Sequence, residues 1–298
     1  MSKPPKKPIK SAQARDDNSF RETVSLTCAC SRDVTLAELG RTFSSQKKQR
    51  LETFLSHLNT TFSKYQINTC MRKAHFLAQA GHETGQLSLL AEKLPKGQKE
   101  KDVYDGYKGR GLIQITYKDG YVAYGNHVGQ DFTEANKVKL EEAEWATDSA
   151  GWYWAIKMSP SLNEYADKND LVYITQTING AFNGYDDRVS ILRRASLALM
   201  VDKCPARNDC PNITSFSLET SAANQIPAAA FAWGLWHDST TDKHGTAKSD
   251  AEALLGYLRF LDLKTEQKRG RFGFKNPGSM IAHAENRIHD LSKNGNDA

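Results

Sequence analysis

The sequence predicts a mostly α-helical protein with one small β element. Apolar residues recur at helical spacing over several long segments, and period-two alternation is nearly absent. One short block, Gly109 to Thr116, sets glycines ahead of alternating apolar and polar side chains, which suits a strand or β-turn. With 298 residues, 39% of them hydrophobic, the chain is long enough to bury a core without disulfide staples.

Residues 1–22 are rich in Lys, Pro, Ser and Asp and poor in large apolar side chains, so they read as a flexible basic tail. The β-type residues Val24 to Leu26 suggest a short strand. Thr35-Leu-Ala-Glu38 fits a capping box, in which hydroxyl and carboxylate each satisfy a free backbone N–H, and it should open a helix. Leu51, Phe54, Leu55, Leu58, Phe62 and Tyr65 form one apolar helical face. Ile67, Met71, Ala74, Leu77 and Ala78 predict a second helix running toward His82. Asp148 to Met158 reads as a buried aromatic helix. Asp170 to Ile178 has helix length but β-branched composition. Asp186 to Met200 carries Val189, Leu192, Ser196 and Leu199 on one helical face. After Val201 the texture changes. Residues 203–225 are loop-like, 226–262 are helical around a polar break at 237–249, and 280–292 form a last amphipathic helix. The expected organisation is a tail (1–22), a main domain (23–202) and a mostly helical C-terminal extension (203–298) with no assigned role.

The formal charge of +5 sits entirely in Lys3, Lys6, Lys7, Lys10 and Arg15; residues 16–298 balance at 35 bases against 35 acids. A nucleic-acid interface would need bases clustered on a folded face, so no nucleic-acid partner is expected. The longest uncharged apolar run, Ala228 to Trp236, is nine residues, and a membrane span needs about 20. The basic N-terminus lacks the apolar run of about 7–15 residues of a secretory signal, so the expected site of synthesis is the cytoplasm.

Of five cysteines, Cys204 and Cys210 flank a Pro-rich loop; a bridge in an oxidising compartment and two free thiols are equally compatible with that spacing. No Cys-x-x-Cys pair exists, so no structural zinc site is expected. His82-Glu83 begins like the zincin HExxH, but position 86 is Gln86 and the second His ligand is missing. His75 and His82 share a helix face, yet no third ligand is evident. The sequence therefore predicts no metal and no cofactor, with His82 buried and orienting nearby backbone.

The chemistry-bearing stretch is 74–125. Glu83 ends an apolar helical run, and apolar surroundings would raise its pKa and keep a proton available. Glu92 lies nine residues on. An unbroken helix would carry it about 13.5 Å away, but Gly85 offers a break from which the chain can fold back across a cleft. Two carboxyls facing across a sugar, about 6.5–9.5 Å apart, serve an inverting glycosidase. Gln114 and Thr116 point the same way from the second block; they suit hydrogen bonds to sugar amides and a held water, or an ordinary hairpin edge. Trp233 and Trp236 suit a sugar platform or, as the Ala-rich spacing favours, a buried helix.

HETG, the Glu nine residues later, YKGRGLIQIT with YVAYG, SAGWYW and INGAFNGYDDR together resemble glycoside hydrolase family 19, the family of chitinases and lysozyme-type endolysins. Matching blocks cover about residues 70–200. The resemblance implies a two-lobed lysozyme-like fold with a cleft, and inverting hydrolysis of β-1,4-linked N-acetylated sugars. It implies Glu83 as general acid, Glu92 as general base and Thr116 as a holder of the nucleophilic water. Gln114, Tyr121 and Asn179 match sugar-binding positions, and Arg188 an arginine that supports the carboxylates. Gln86, Gly120 and Ala181 depart from the family pattern without removing a catalytic carboxyl.

The close Glu spacing is similar to the endolysin branch. The expectation is cleavage of peptidoglycan glycan strands, as an N-acetylmuramidase, with chitin as the alternative substrate. A non-catalytic glycan-binding protein is the alternative of another class. The segment TCACSRDVTLAEL and the long C-terminal part are also similar to cell-wall hydrolases associated with type VI secretion. That resemblance implies an antibacterial effector acting in a rival's periplasm, with an immunity protein that blocks the cleft. Release of an endolysin through a holin is the other route.

Overall fold

A computed structural model describes residues 27–205 and 215–294. The predicted tail, the strand at 24–26 and Cys210 lie outside the described residues.

The fold is built from helices. Helix α1 (Leu36–Thr42) opens with the predicted capping box: Glu38 N–H donates to Thr35 Oγ1 at 3.2 Å, and Thr35 N–H donates to Glu38 Oε2 at 2.8 Å. Helix α2 (Lys48–Lys64) buries Leu51, Phe54, Leu58 and Phe62, as its periodicity requires. Helix α3 (Cys70–Glu83) is capped by Thr69 and is buried almost along its whole length, from Cys70 through Gly81. It is the central helix, with α8 (Tyr185–Ala198) against it.

Helix α4 (Lys118–Val128) was not marked by apolar periodicity in the sequence. Helix α5 (Ala143–Trp152) continues as a π turn through Lys157 and buries Trp152 and Trp154, the aromatic segment predicted at 148–158. Helix α6 (Leu162–Asp167) leads to α7 (Leu171–Asn179). There the composition was ambiguous, and the Asp170 carboxylate decides it by accepting from Tyr173 N–H at 2.9 Å as an N-cap.

The expected β element is smaller than a strand. Among the described residues there are only isolated bridges, Ala91 to Arg110 and Arg110 to Ile115. They suffice to tie the segment after α3 to the Gly-rich block: Glu92 N–H donates to Gly109 O at 2.8 Å, and Gly111 N–H to Leu90 O at 2.9 Å.

The C-terminal part forms α9 (Pro227–His237), α10 (Asp250–Asp262) and α11 (Pro277–Asn294). Trp233 and Trp236 are both buried, 1% and 4% exposed, so they are core residues rather than a sugar platform. Trp233 packs edge-on against Phe182 and Tyr185, and one hydrophobic core runs from Ala29 to Leu291. No helix among the described residues is long and apolar enough to cross a membrane.

Candidate active site

Helix α3 stops at Glu83. Gly85, Gln86 and Leu87 then take consecutive left-handed conformations, φ +55°, +57° and +68°, and reverse the chain. Gly85 adopts such a backbone freely; Gln86 and Leu87 are held there by contacts. Gln86 O accepts from Gln46 Nε2 at 2.5 Å, and Leu87 O accepts from Arg50 Nε at 2.7 Å. The reversed chain delivers Glu92 to the bridge with Gly109. Its Oε2 accepts from Gly109 N–H at 3.2 Å, and Oε1 accepts from the Tyr104 hydroxyl at 3.5 Å.

The result is a cleft of about 500 Å³ whose lining includes Glu83, Glu92, Gln114, Thr116 and Asn179. Its lining comes from the ends of α3 and α7 and from residues within 89–116. Five predicted site residues thus share one cavity. Asn179 is oriented by Asn183, whose N–H and Nδ2 donate to its Oδ1 at 3.2 and 3.1 Å. Gln114 Nε2 donates to Gly111 O at 2.7 Å, which fixes its amide in the turn.

Glu83 is not enclosed by apolar side chains, as the sequence suggested. Its Oε1 accepts from Arg188 Nη2 at 2.5 Å, with the guanidinium fully buried and the carboxyl 18% exposed. Arg188 Nη1 bonds Gln79, one turn before Glu83. Burial lowers the Arg188 pKa, and the Glu83 charge opposes that shift.

Two predicted roles are corrected. His82 is half-buried and does not bond backbone: Nδ1 meets Asp187 Oδ2 at 2.7 Å, a side-chain partner on α8. That bond is the first cause of a lowered Asp187 pKa. Tyr121 is fully buried and does not line the cleft. Its hydroxyl donates to Lys108 O at 2.6 Å and accepts from Arg110 Nη1 at 3.1 Å, and burial pushes its pKa up to about 12. Tyr121 supports the wall; it does not touch the ligand space. The Gly120 departure has a steric reason, since a Cβ there would lie 2.9 Å from Ile115 Cγ2.

Sequence reasoning missed Lys93 and Tyr104 in the lining, and Tyr117 beside it. The exposed Tyr104 and Tyr117 rings meet edge-on at 5.2 Å. It also missed Arg110, a buried hub whose Nε bonds Glu141 at 2.6 Å and whose Nη atoms bond Glu100 at 2.9 Å each. Burial alone would raise the Glu100 carboxyl, but Arg110 and Lys137 outweigh it and hold it at about 2.

His75 and His82 do not share a ligand site; His75 is buried, with Nε2 on Asn169 Oδ1 at 2.9 Å. The four described cysteines do converge, contrary to the expectation of no metal-binding group. The sequence argument sought a paired Cys-x-x-Cys, whereas the fold gathers Cys28, Cys30, Cys70 and Cys204 from three distant segments.

A Haemophilus influenzae protein named as a glycosyl hydrolase family 19 domain-containing protein is 30% identical over 154 residues. The match covers 52% of this chain and 70% of the relative. The chain belongs to glycosyl hydrolase family 19. Acidic endochitinase Q of Nicotiana tabacum is 29% identical over 178 residues, covering 50% of this chain and 70% of that protein. Among solved structures, a bacterial family 19 chitinase is 22% identical, with a TM-score of 0.47 over 61% of this chain and 99% of that one. No protein-family model matches the chain. As a family 19 glycosyl hydrolase, the protein is a glycoside hydrolase, and the carboxyl-lined cleft is its candidate catalytic centre.

Proposed function

We propose that this family 19 enzyme cleaves the glycan strand of peptidoglycan with inversion, Glu83 serving as general acid and Glu92 as general base. The observation that carries the reading is that two carboxyls, Glu83 and Glu92, line one cleft together with the Thr116 hydroxyl and the Gln114 and Asn179 amides. Glu83 protonates the glycosidic oxygen as the C1–O bond breaks. A water held by Thr116 and Glu92 attacks C1 from the opposite face, and Glu92 takes its proton. A β-linkage then yields an α-anomer. Gln114 and Asn179 supply amides for N-acetyl groups, and the Tyr104 ring supplies an apolar face.

Lys93 on the cleft wall favours peptidoglycan over chitin. Chitin is neutral, whereas the peptides on N-acetylmuramic acid carry carboxylates that an ammonium can pair with. Delivery to a rival's periplasm, or release as an endolysin, fits such a wall-directed activity, and an immunity protein would then act by covering this cleft.

The test is digestion of purified sacculi and of chitin oligomers side by side, with products followed by mass spectrometry and anomers by NMR. Soluble muropeptides ending in reducing N-acetylmuramic acid, and the α-anomer first, are expected. Faster turnover of chitin oligomers would move the substrate to the chitinase alternative, and β-anomer products would reject the base assignment. Glu83→Gln should abolish clearing of cell walls with an unchanged circular dichroism spectrum; retained clearing would reject the acid assignment.

A further inference from the structure

At the end of α3 remote from Glu83, four cysteine sulfurs crowd together. The Sγ atoms of Cys28, Cys30, Cys70 and Cys204 all lie within 4.8 Å of one another. Cys30 Sγ and Cys204 Sγ are 3.3 Å apart, although 174 residues separate them in sequence. Cys70 is buried and the other three are half-buried. We propose that these four thiols form a tetrathiolate site for one zinc ion.

A tetrahedral zinc centre has Zn–S bonds of about 2.3 Å, so its sulfurs sit roughly 3.8 Å apart, and the observed crowding is of that order. Two disulfides would instead draw the sulfurs into pairs at about 2.05 Å. On binding, each thiol releases its proton, and the centre of one Zn²⁺ and four thiolates carries a net charge of −2.

The surroundings suit that charge. Lys73 is only 3% exposed, one turn along α3 from Cys70. Its ammonium donates to Ala29 O at 2.7 Å and Arg32 O at 2.5 Å, and no carboxylate bonds it among the described residues. A buried cation without a carboxylate partner is costly unless another anion is near. Arg32 braces the same segment by donating to Cys28 O at 3.1 Å, with its charge paired to Glu38 at 2.6 Å. Cys70 N–H, in the first turn of α3, donates to Cys30 Sγ at 3.1 Å, a bond that strengthens once the sulfur is a thiolate. A disulfide would be neutral and would leave the Cys70 N–H and the Lys73 ammonium without that charge to serve.

The site joins the segment before α1, the start of α3 and the turn after α8. It would restrain a long loop closed between Cys30 and Cys204, and it lies about 20 Å along α3 from Glu83, so its role is structural rather than catalytic.

Metal analysis of the full chain purified without chelator should find one zinc per chain. The cobalt-exchanged protein should show thiolate-to-cobalt charge transfer and the intense visible bands of a tetrahedral site. Cys28→Ser and Cys204→Ser should lose the metal and lower Tm, while Cys210→Ser should keep both. A metal-free protein four hydrogens lighter than its reduced form would overturn the site in favour of two disulfides, and iron in place of zinc would overturn the metal assignment. Zinc retained in Cys204→Ser, or lost in Cys210→Ser, would overturn the ligand set. If the serine variants fail to fold, the metal content and cobalt spectrum of the unaltered protein still decide.

Discussion

His82 and Glu83 are neighbours in the chain, and so are their partners Asp187 and Arg188 on α8. A histidine–carboxylate hydrogen bond and an ion pair therefore clamp the end of α3 beside the cleft. Arg188→Met removes the charge from a buried position and leaves Glu83 without its partner. Breaking a buried pair costs about 3–5 kcal/mol. The lower end applies here because Glu83 keeps 18% exposure. A fall in kcat larger than any change in KM is expected, with a lower Tm; an active variant of unchanged Tm would show that the clamp is dispensable. Arg188→Lys should recover charge but not the fork that holds Gln79 and Glu83 together, so it should rescue only part of the rate. Thr116→Val, which keeps shape and removes the hydroxyl, should lower kcat by about tenfold to a hundredfold without lowering Tm, given about 1–3 kcal/mol for one lost polar contact. The carboxyls were legible because their spacing and the flanking glycines are local. Tyr121 was misread because its fate depends on Arg110, a partner whose burial no spacing reveals. Tyr104 and Lys93 sit in irregular chain, where no periodicity marks a side chain as facing a cleft.

At the scale of elements, the helices written by period and caps were legible: α1 from its capping box, α2 and α8 from their apolar faces. Close helix–helix approach was not. Helices α9 and α10 meet through Gly234 and Gly256, and a Cβ on Gly256 would lie 2.3 Å from Gly234 N and 2.8 Å from Ala230 O. Both atoms are backbone and cannot swing away. Gly256→Ala should cost about 1–3 kcal/mol by overpacking, despite the better helix propensity of Ala, and a Tm at or above the unaltered protein's would contradict this contact. A similar approach links the C-terminal part to the site. Gly245 lies against Gly184, which packs on the His82 ring; Asp186 N–H donates to Gly245 O at 3.0 Å, and Trp236 Nε1 to Asn183 Oδ1 at 3.3 Å. The loop that orients Asn179 is thus braced from behind by residues that sequence reasoning left without a role.

Over the whole molecule, several ion pairs hold carboxyls below their ordinary range, the most strongly Glu100 with the buried Arg110 and the buried Asp238 with Arg287 in the C-terminal part. Asp238 accepts from Arg287 Nε at 2.7 Å and from Thr240 N–H and Oγ1 at 2.9 and 2.8 Å; burial would raise it, but these bonds hold it at about 2. Both carboxyls are depressed from ordinary values of 4.5 and 3.8. Their stabilisation is therefore fully present above those values and lost as pH falls toward about 2. Tm should decline through that window, and Glu100→Gln should flatten the decline; an unchanged slope would show that the pair contributes nothing. The same continuity governs truncation. The sequence suggested a main domain ending at 202, yet Trp233 packs on Phe182 and Tyr185, and Ser221 Oγ donates to the N-cap Asp170 at 2.7 Å. A chain ending at residue 203 would expose those rings and free the Asn183 loop. It should aggregate or lose glycan cleavage, whereas removal of residues 1–15 should leave turnover of short glycans unchanged. A soluble, fully active 1–203 fragment would show that the C-terminal helices are an appendage rather than part of the enzyme's core.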